Sequence, residues 1–150
     1  MNRDFVEMLA ALSAAGADFL VVGAYALAAH GRPRATGDLD LLVRATPANA
    51  RRVWAALQTF GAPLDDLTLD DLTSSDLVYQ IGVAPTRIDL LTGLTGVGFD
   101  EAWASRVTLT LEGVQVPIIG RDALIRNKRA LGRPRDLADV AELEEAAGSG

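Results

Sequence analysis

Apolar positions recur with two different periods along this chain, and the alternation between them sets out its elements. Phe5, Met8, Leu9 and Leu12 fall at i, i+3, i+4 and i+7, which predicts an amphipathic helix ending near Gly16. Residues 19–22 are a continuous apolar run between Asp18 and Gly23, the pattern of a buried strand. Residues 24–29, rich in Ala and Leu, predict a helix, and 31–37, with Pro33, a loop. Residues 38–43 read as a second strand. Thr46 and Pro47 supply an N-cap and a first-turn proline for a helix that runs to about Phe60 and stops at Gly61.

Residues 65–76 hold five acids and no base and predict a loop with a short helical turn. Residues 77–82 and 87–91 form a predicted strand pair around Ala84-Pro85. A short helix is expected over 100–105. Residues 107–111 and 114–118 alternate around Glu112-Gly113, a two-residue hairpin signal. Residues 122–131 are helical, 132–135 a turn and 136–146 a final helix. This order implies the α+β class, an α/β sandwich in which a mixed β-sheet is flanked by helices and followed by a C-terminal helical pair. Residues 1–147 are expected to form a single domain and 148–150 a flexible tail.

The chain has 150 residues, with 20 Asp and Glu against 14 Lys and Arg, for a net charge of −6. A chain of this size buries roughly 70% of its unfolded surface and needs no staples. Absence of Cys excludes disulfides and thiolate metal sites, and a single His, His30, excludes a multi-His zinc site. The acidic balance argues against a general nucleic-acid or anionic-membrane coat. No apolar stretch approaches the ~20 residues of a membrane span, and Met1-Asn2-Arg3-Asp4 lacks a signal-peptide pattern. No membrane partner is therefore expected, and a cytoplasmic location is.

Candidate chemistry begins at Asp38 and Asp40. Residues i and i+2 of a strand share a face, so both carboxylates project together while Leu39 and Leu41 turn to the core. Adjacent carboxylates repel unless protonated or bridged by a cation, and hard oxygen ligands suit Mg²⁺ or Mn²⁺. Composition alone yields about one Asp-x-Asp by chance, so the pair needs company. Asp89 supplies it: an acid within a strand whose other face, Ile88 and Leu90, is apolar. If that strand lies beside 38–43, three carboxylates meet, a set able to hold two cations for in-line phosphoryl transfer. Otherwise Asp89 is a solvent-facing residue paired with Arg87 or another Arg.

Gly23-Ala24 lies at a strand-to-helix turn, where backbone N–H groups can meet a phosphate. Arg32, Arg34 and Thr36 sit in the loop leading to Asp38, and Arg34 can pair with phosphate or with Asp38. His30 reads as a helix-end cap. Thirteen of the 14 bases are Arg, Lys128 being the only Lys, and residues 121–135 hold six bases against Asp122. That strip either carries triphosphate charge or is a solvated face whose Arg residues pair with Asp136 and Asp139.

Residues 21–42, with Gly23-Ala24, His30-Gly31, Arg34-Ala-Thr36 and Asp38-Leu-Asp40, resemble the signature of the DNA-polymerase-beta-like nucleotidyltransferase superfamily, and Asp89 matches its third Asp. The His-Gly before Arg-x-Thr-x-Asp-x-Asp resembles the AbiEii-type minimal nucleotidyltransferases, common as toxins of toxin–antitoxin pairs. Lys128-Arg-Ala130 and Arg133-Pro-Arg135-Asp136-Leu-Ala-Asp139 are similar to the C-terminal pattern of that group. The resemblance implies transfer of a nucleoside monophosphate from an NTP to a hydroxyl of a tRNA, protein or small molecule, with Mg²⁺ or Mn²⁺ as cofactor and a cognate antitoxin as partner. It implies Asp38, Asp40 and Asp89 as metal ligands and catalytic groups, Gly23, Ala24, Arg34 and Thr36 around the phosphates, and Lys128 and Arg133 on the leaving pyrophosphate. Ala24 departs from the expected second Gly or Ser and removes a hydroxyl. An antibiotic-type small-molecule enzyme, a nucleotide-binding module without turnover, and an interaction protein with decayed motifs are the other readings of the same residues. A tRNA acceptor would dock on the strip at 121–135.

Overall fold

The computed structural model describes residues 2–31, 37–83 and 86–149. Arg34, Thr36 and the Ala84-Pro85 turn lie outside the described residues. The elements are α1 (Arg3–Ala14), β1 (Phe19–Val22), α2 (Gly23–Ala29), β2 (Leu39–Val43), α3 (Pro47–Phe60), a 3-10 turn (Asp71–Thr73), β3 (Val78–Ile81), β4 (Ile88–Leu91), α4 (Phe99–Ala104), β5 (Val107–Leu111), β6 (Val114–Ile118), α5 (Arg121–Leu131) and α6 (Pro134–Ser149).

Local chemistry explains most boundaries. Asn2 caps α1 through the Asp4 N–H, and α1 buries Phe5, Met8, Leu9 and Leu12 on one stripe. The Thr46 hydroxyl accepts from Asn49 N–H at the start of α3, and Gly61 closes that helix at φ 89°. Glu112 and Gly113 both hold positive φ, as the tight turn between β5 and β6 demands. Pro134 opens α6 two residues before the expected start, because proline suits the first helical position. α6 then continues to Ser149, through residues assigned from the sequence to a flexible tail.

The six strands form one sheet in the order β3-β4-β2-β1-β6-β5. β1 runs antiparallel to β2 and parallel to β6, and β2 runs parallel to β4. The sheet is mixed and helices flank it, as expected. β1 is buried along its whole length, while β2 buries Leu39, Leu41 and Val43 and leaves Asp40 half-buried. α1 and α2 cover one face, where Leu9, Tyr25, Val21 and Leu39 surround an apolar cavity. α5 stands over the other face, sharing a cleft with Val22, Asp38 and Asp40. No helix among the described residues is long and apolar enough to cross a membrane.

Candidate active site

The register of two parallel strands builds the centre of the site. Asp40 on β2 is the direct partner of Asp89 on β4, and Val22 of β1 flanks Asp40 on the other side. A strand places residues i and i+2 on one face, so Asp38 and Arg87, one residue before each strand, join the same face. Four charged side chains therefore meet at the entry of two strands. Leu39, Ile88, Leu41 and Leu90 occupy the opposite face, each no more than 1% exposed.

Arg87 lies between two of the acids. Its Nη2 donates to Asp38 Oδ2 at 2.9 Å and to Asp89 Oδ2 at 3.3 Å. Its Nε stands 3.0 Å from Asp89 Oδ1 but is not aligned to hydrogen-bond it, and both atoms are buried without a hydrogen-bond partner. Asp89 thus lies beside Asp40 and also pairs with Arg87, and the alternative of a solvent-facing Asp89 is corrected, since it is buried. Burial, then the adjacent Asp89 carboxylate and a hydrogen bond with it, push the Asp40 carboxyl up to about 6, and Asp38 adds to the rise.

As they stand, no three acidic or His side chains among the described residues converge to hold an ion. The donor set nevertheless fits a hard divalent cation. It offers carboxylate oxygens in register, and Asp89 Oδ1 is a buried acceptor with no hydrogen bond.

Gly23 joins this centre for a steric reason. It holds φ +70°, and a Cβ built there would lie 2.2 Å from Asp40 Oδ2. No side chain caps the start of α2, so the N–H groups expected to meet phosphate have no side-chain competitor there. Ala24 lines the same cleft. His30 ends α2, and its Nε2 and the Ile119 carbonyl oxygen are 2.8 Å apart, tying the helix end to the segment after β6. The helix-cap reading of His30 holds.

The cleft measures about 410 Å³, within the size range of small-molecule sites. One side carries Gly23, Ala24, Asp38 and Asp40, and the other Lys128, Arg133, Asp136 and Asp139. Leu91, Leu94, Leu124 and Leu131 supply an apolar part. Lys128 and Arg133 thus line the same cleft as Asp38 and Asp40, though neither stands alone. Lys128 Nζ lies 2.9 Å from Asp139 and 3.7 Å from Asp136, and both acids are almost fully buried. Arg133 grips Asp136 through Nε at 2.5 Å and Nη2 at 3.2 Å, and holds the Asp136 carboxyl below the usual carboxylate range.

Pairing extends along the strip at 121–135. Arg126 pairs with Glu101 and Arg129 with Glu144. The strip is therefore largely charge-balanced, because α4 and α6 bring acids against α5. Of the two readings of this strip, the pairing of Arg with Asp136 is found, through Arg133. None of the acids at 65–76 lines the cleft. They serve their own loop instead, where Thr68 N–H donates to Asp71 Oδ2 at 2.9 Å and Asp71 N–H to Thr68 Oγ1 at 3.1 Å.

Sequence reasoning assigned no role to Asn127, which is buried in the cleft wall and donates from Nδ2 to the Thr95 carbonyl at 2.9 Å. A single Asn among Ala123, Leu124 and Ile125 on the buried face of α5 was the available signal.

No protein-family profile matches the sequence, and no curated protein matches it. Solved structures do. A candidate nucleotidyltransferase from Thermotoga maritima, TM1012, superposes with a TM-score of 0.62 at 12% identity, over 95% of this chain and 91% of that one. The lincosamide antibiotic adenylyltransferase LnuA, solved with lincomycin bound, gives 0.59 at 10% identity, over 97% of this chain and 98% of that one. The antibiotic-resistance factor ANT(2'')-Ia gives 0.59 at 15% identity, over 97% and 82%. This chain has the minimal nucleotidyltransferase fold.

Proposed function

We propose that this protein is a nucleotidyltransferase that moves a nucleoside monophosphate from an NTP to an acceptor hydroxyl. The observation that carries the reading is that Asp40, directly abreast of Asp89, lines a cleft whose far wall holds Lys128 and Arg133. A site of this kind works chiefly by positioning and by neutralising charge that develops on phosphate.

In this reading Asp38, Asp40 and Asp89 hold Mg²⁺ or Mn²⁺. The bound cation supplies charge neutralisation at the α-phosphate and at the attacking and leaving oxygens. Gly23 and Ala24 present backbone N–H groups to the phosphates. Arg34 and Thr36 are assigned there by the sequence resemblance alone. Asp89 accepts the proton of the acceptor hydroxyl as its oxygen bonds to the α-phosphorus. The bond from that phosphorus to the α–β bridging oxygen breaks, and pyrophosphate leaves toward Lys128 and Arg133.

A small-molecule acceptor is the reading that the neighbours favour. LnuA is described with lincomycin, and ANT(2'')-Ia with adenylyl-2''-tobramycin. A protein or tRNA acceptor and an antitoxin partner rest on the AbiEii-type sequence resemblance. The experiment incubates the protein with each radiolabelled NTP, Mg²⁺, cell extract and a panel of aminoglycosides and lincosamides. Wild type yields a labelled product and Asp40→Ala does not. No product with wild type, or equal labelling by Asp40→Ala, sinks the enzyme reading and leaves the nucleotide-binding module that Ala24 suggests.

A further inference from the structure

The side chain between the acids has a consequence beyond pairing. We propose that Arg87 is a positioning residue that acts through Asp38 and Asp89: its guanidinium holds the two carboxylates while no divalent cation is bound, and a cation enters only by displacing it. This rests on the reading of Asp38, Asp40 and Asp89 as cation ligands.

Three observations lead here. The guanidinium contacts both acids at once, at 2.9 Å to Asp38 and at 3.0 and 3.3 Å to Asp89. Strand register dictates that placement, because Leu39 N–H donates to the Arg87 carbonyl at 3.0 Å and so sets Arg87 beside Asp38. The pairing with Asp89 is also incomplete. Arg87 Nε and Asp89 Oδ1 lie in ion-pair range with no aligned hydrogen bond, and both are buried. A buried donor and acceptor left in this state keep their charge attraction but lack hydrogen bonds, so a cation that binds Asp89 Oδ1 costs no aligned hydrogen bond there.

The physical reason for such a residue is charge. Three carboxylates on one sheet face repel, and a chain that folds before it meets a cation needs a positive group among them. Arg is suited to this because its charge is permanent and its planar fork reaches two carboxylates together. At about one-third side-chain exposure, Arg87 also has solvent to move into.

The test is a direct Mn²⁺ titration of the full chain, followed by electron paramagnetic resonance of the free ion, with no nucleotide and no turnover. Asp40→Asn marks the site by abolishing the specific binding. Arg87→Gln is expected to bind Mn²⁺ at least about tenfold more tightly than wild type, since one opposing charge has gone. Unchanged or weaker binding overturns the proposal. In wild type itself, adding Mg²⁺ is expected to shift the Arg87 Nε–H resonance and speed its exchange with water, the signal being assigned by its loss in Arg87→Lys. That measurement serves if Arg87→Gln does not fold, and an unmoved resonance at saturating Mg²⁺ overturns the proposal as well. The outcomes separate the two readings. Specific Mn²⁺ binding that ignores Arg87 removes this inference alone, whereas no specific binding by any variant removes the metal site and this inference with it.

Discussion

Gly23 and Asp40 approach so closely that a side chain at position 23 would push the Asp40 carboxylate aside: a Cβ there would stand 2.2 Å from Asp40 Oδ2. The glycine at the head of α2 is thus required by the carboxylate, whatever else its N–H does. Gly23→Ala combines this clash with a φ of +70° that disfavours a Cβ. The expected cost is at least about 2 kcal/mol of stability. A displaced Asp40 also lowers nucleotidyl transfer by about 100-fold. Urea unfolding and a transfer assay read the two effects, and an active, fully stable Gly23→Ala contradicts the geometry.

The raised carboxyl of Asp40 sets opposite pH trends for stability and for cation binding. Its folded value of about 6 exceeds the ordinary 3.8, so the folded chain prefers the protonated form. The stabilisation from this preference is complete below pH 3.8 and is lost as pH rises through about 6. Asp40→Asn should therefore be more stable than wild type at pH 7.5 and lose that advantage toward pH 4. Mn²⁺ binding by wild type should strengthen as pH rises through about 6, as the carboxylate forms in the free protein. Chemical denaturation of both proteins at several pH values, beside Mn²⁺ titrations over the same range, checks both trends.

Lys128 sits between two acids that have little access to water. Lys128→Met leaves Asp139 and Asp136 with less compensation and should cost about 3 kcal/mol. Restoring an apolar pair with Lys128→Met/Asp139→Leu should recover much of the stability and none of the nucleotide binding. Calorimetric titration with a non-hydrolysable NTP separates the two roles. Full binding by the double variant would remove Lys128 from the phosphate site.

A control far from the chemistry is Asn49. Its Oδ1 accepts from Asp18 N–H at 2.7 Å, and its Nδ2 donates to the carbonyls of Asp18 and Arg44 at 3.0 and 2.9 Å. Asn49→Leu strands these buried backbone groups and should cost about 2–4 kcal/mol. Where the variant remains folded, its KM for nucleotide should match wild type. A raised KM would mean that the loops at 18 and 44 communicate with the cleft.

Much of the centre was legible from the chain because strand geometry is simple. The alternation of Asp38, Leu39, Asp40 and Leu41 states which residues face the cleft and which the core, and the apolar neighbours of Asp89 say the same for β4. That β4 lies beside β2 could only be supposed, since pairing is a long-range choice that local pattern leaves open. The pairing along α5 was legible only in part for a related reason. The nearby Asp136 and Asp139 offered themselves as partners in the sequence, but Glu101 and Glu144 reach the strip at 121–135 only after α4 and α6 fold against α5. The crowding at Gly23 is invisible in sequence because a turn glycine looks the same with or without a carboxylate above it.

The β2–β4 register has a consequence for how the protein is made. Asp38 and Arg87 are 49 residues apart, and the cleft's far wall comes later still, on α5 and α6. During synthesis the chain has already passed β1, β2 and α3 before β4 exists, and Lys128 emerges only after β6. A ribosome-bound fragment that stops short of α5 carries the acids without the opposite wall. On the proposed reading, no nascent chain holds both walls of the nucleotide cleft until α5 and α6 dock.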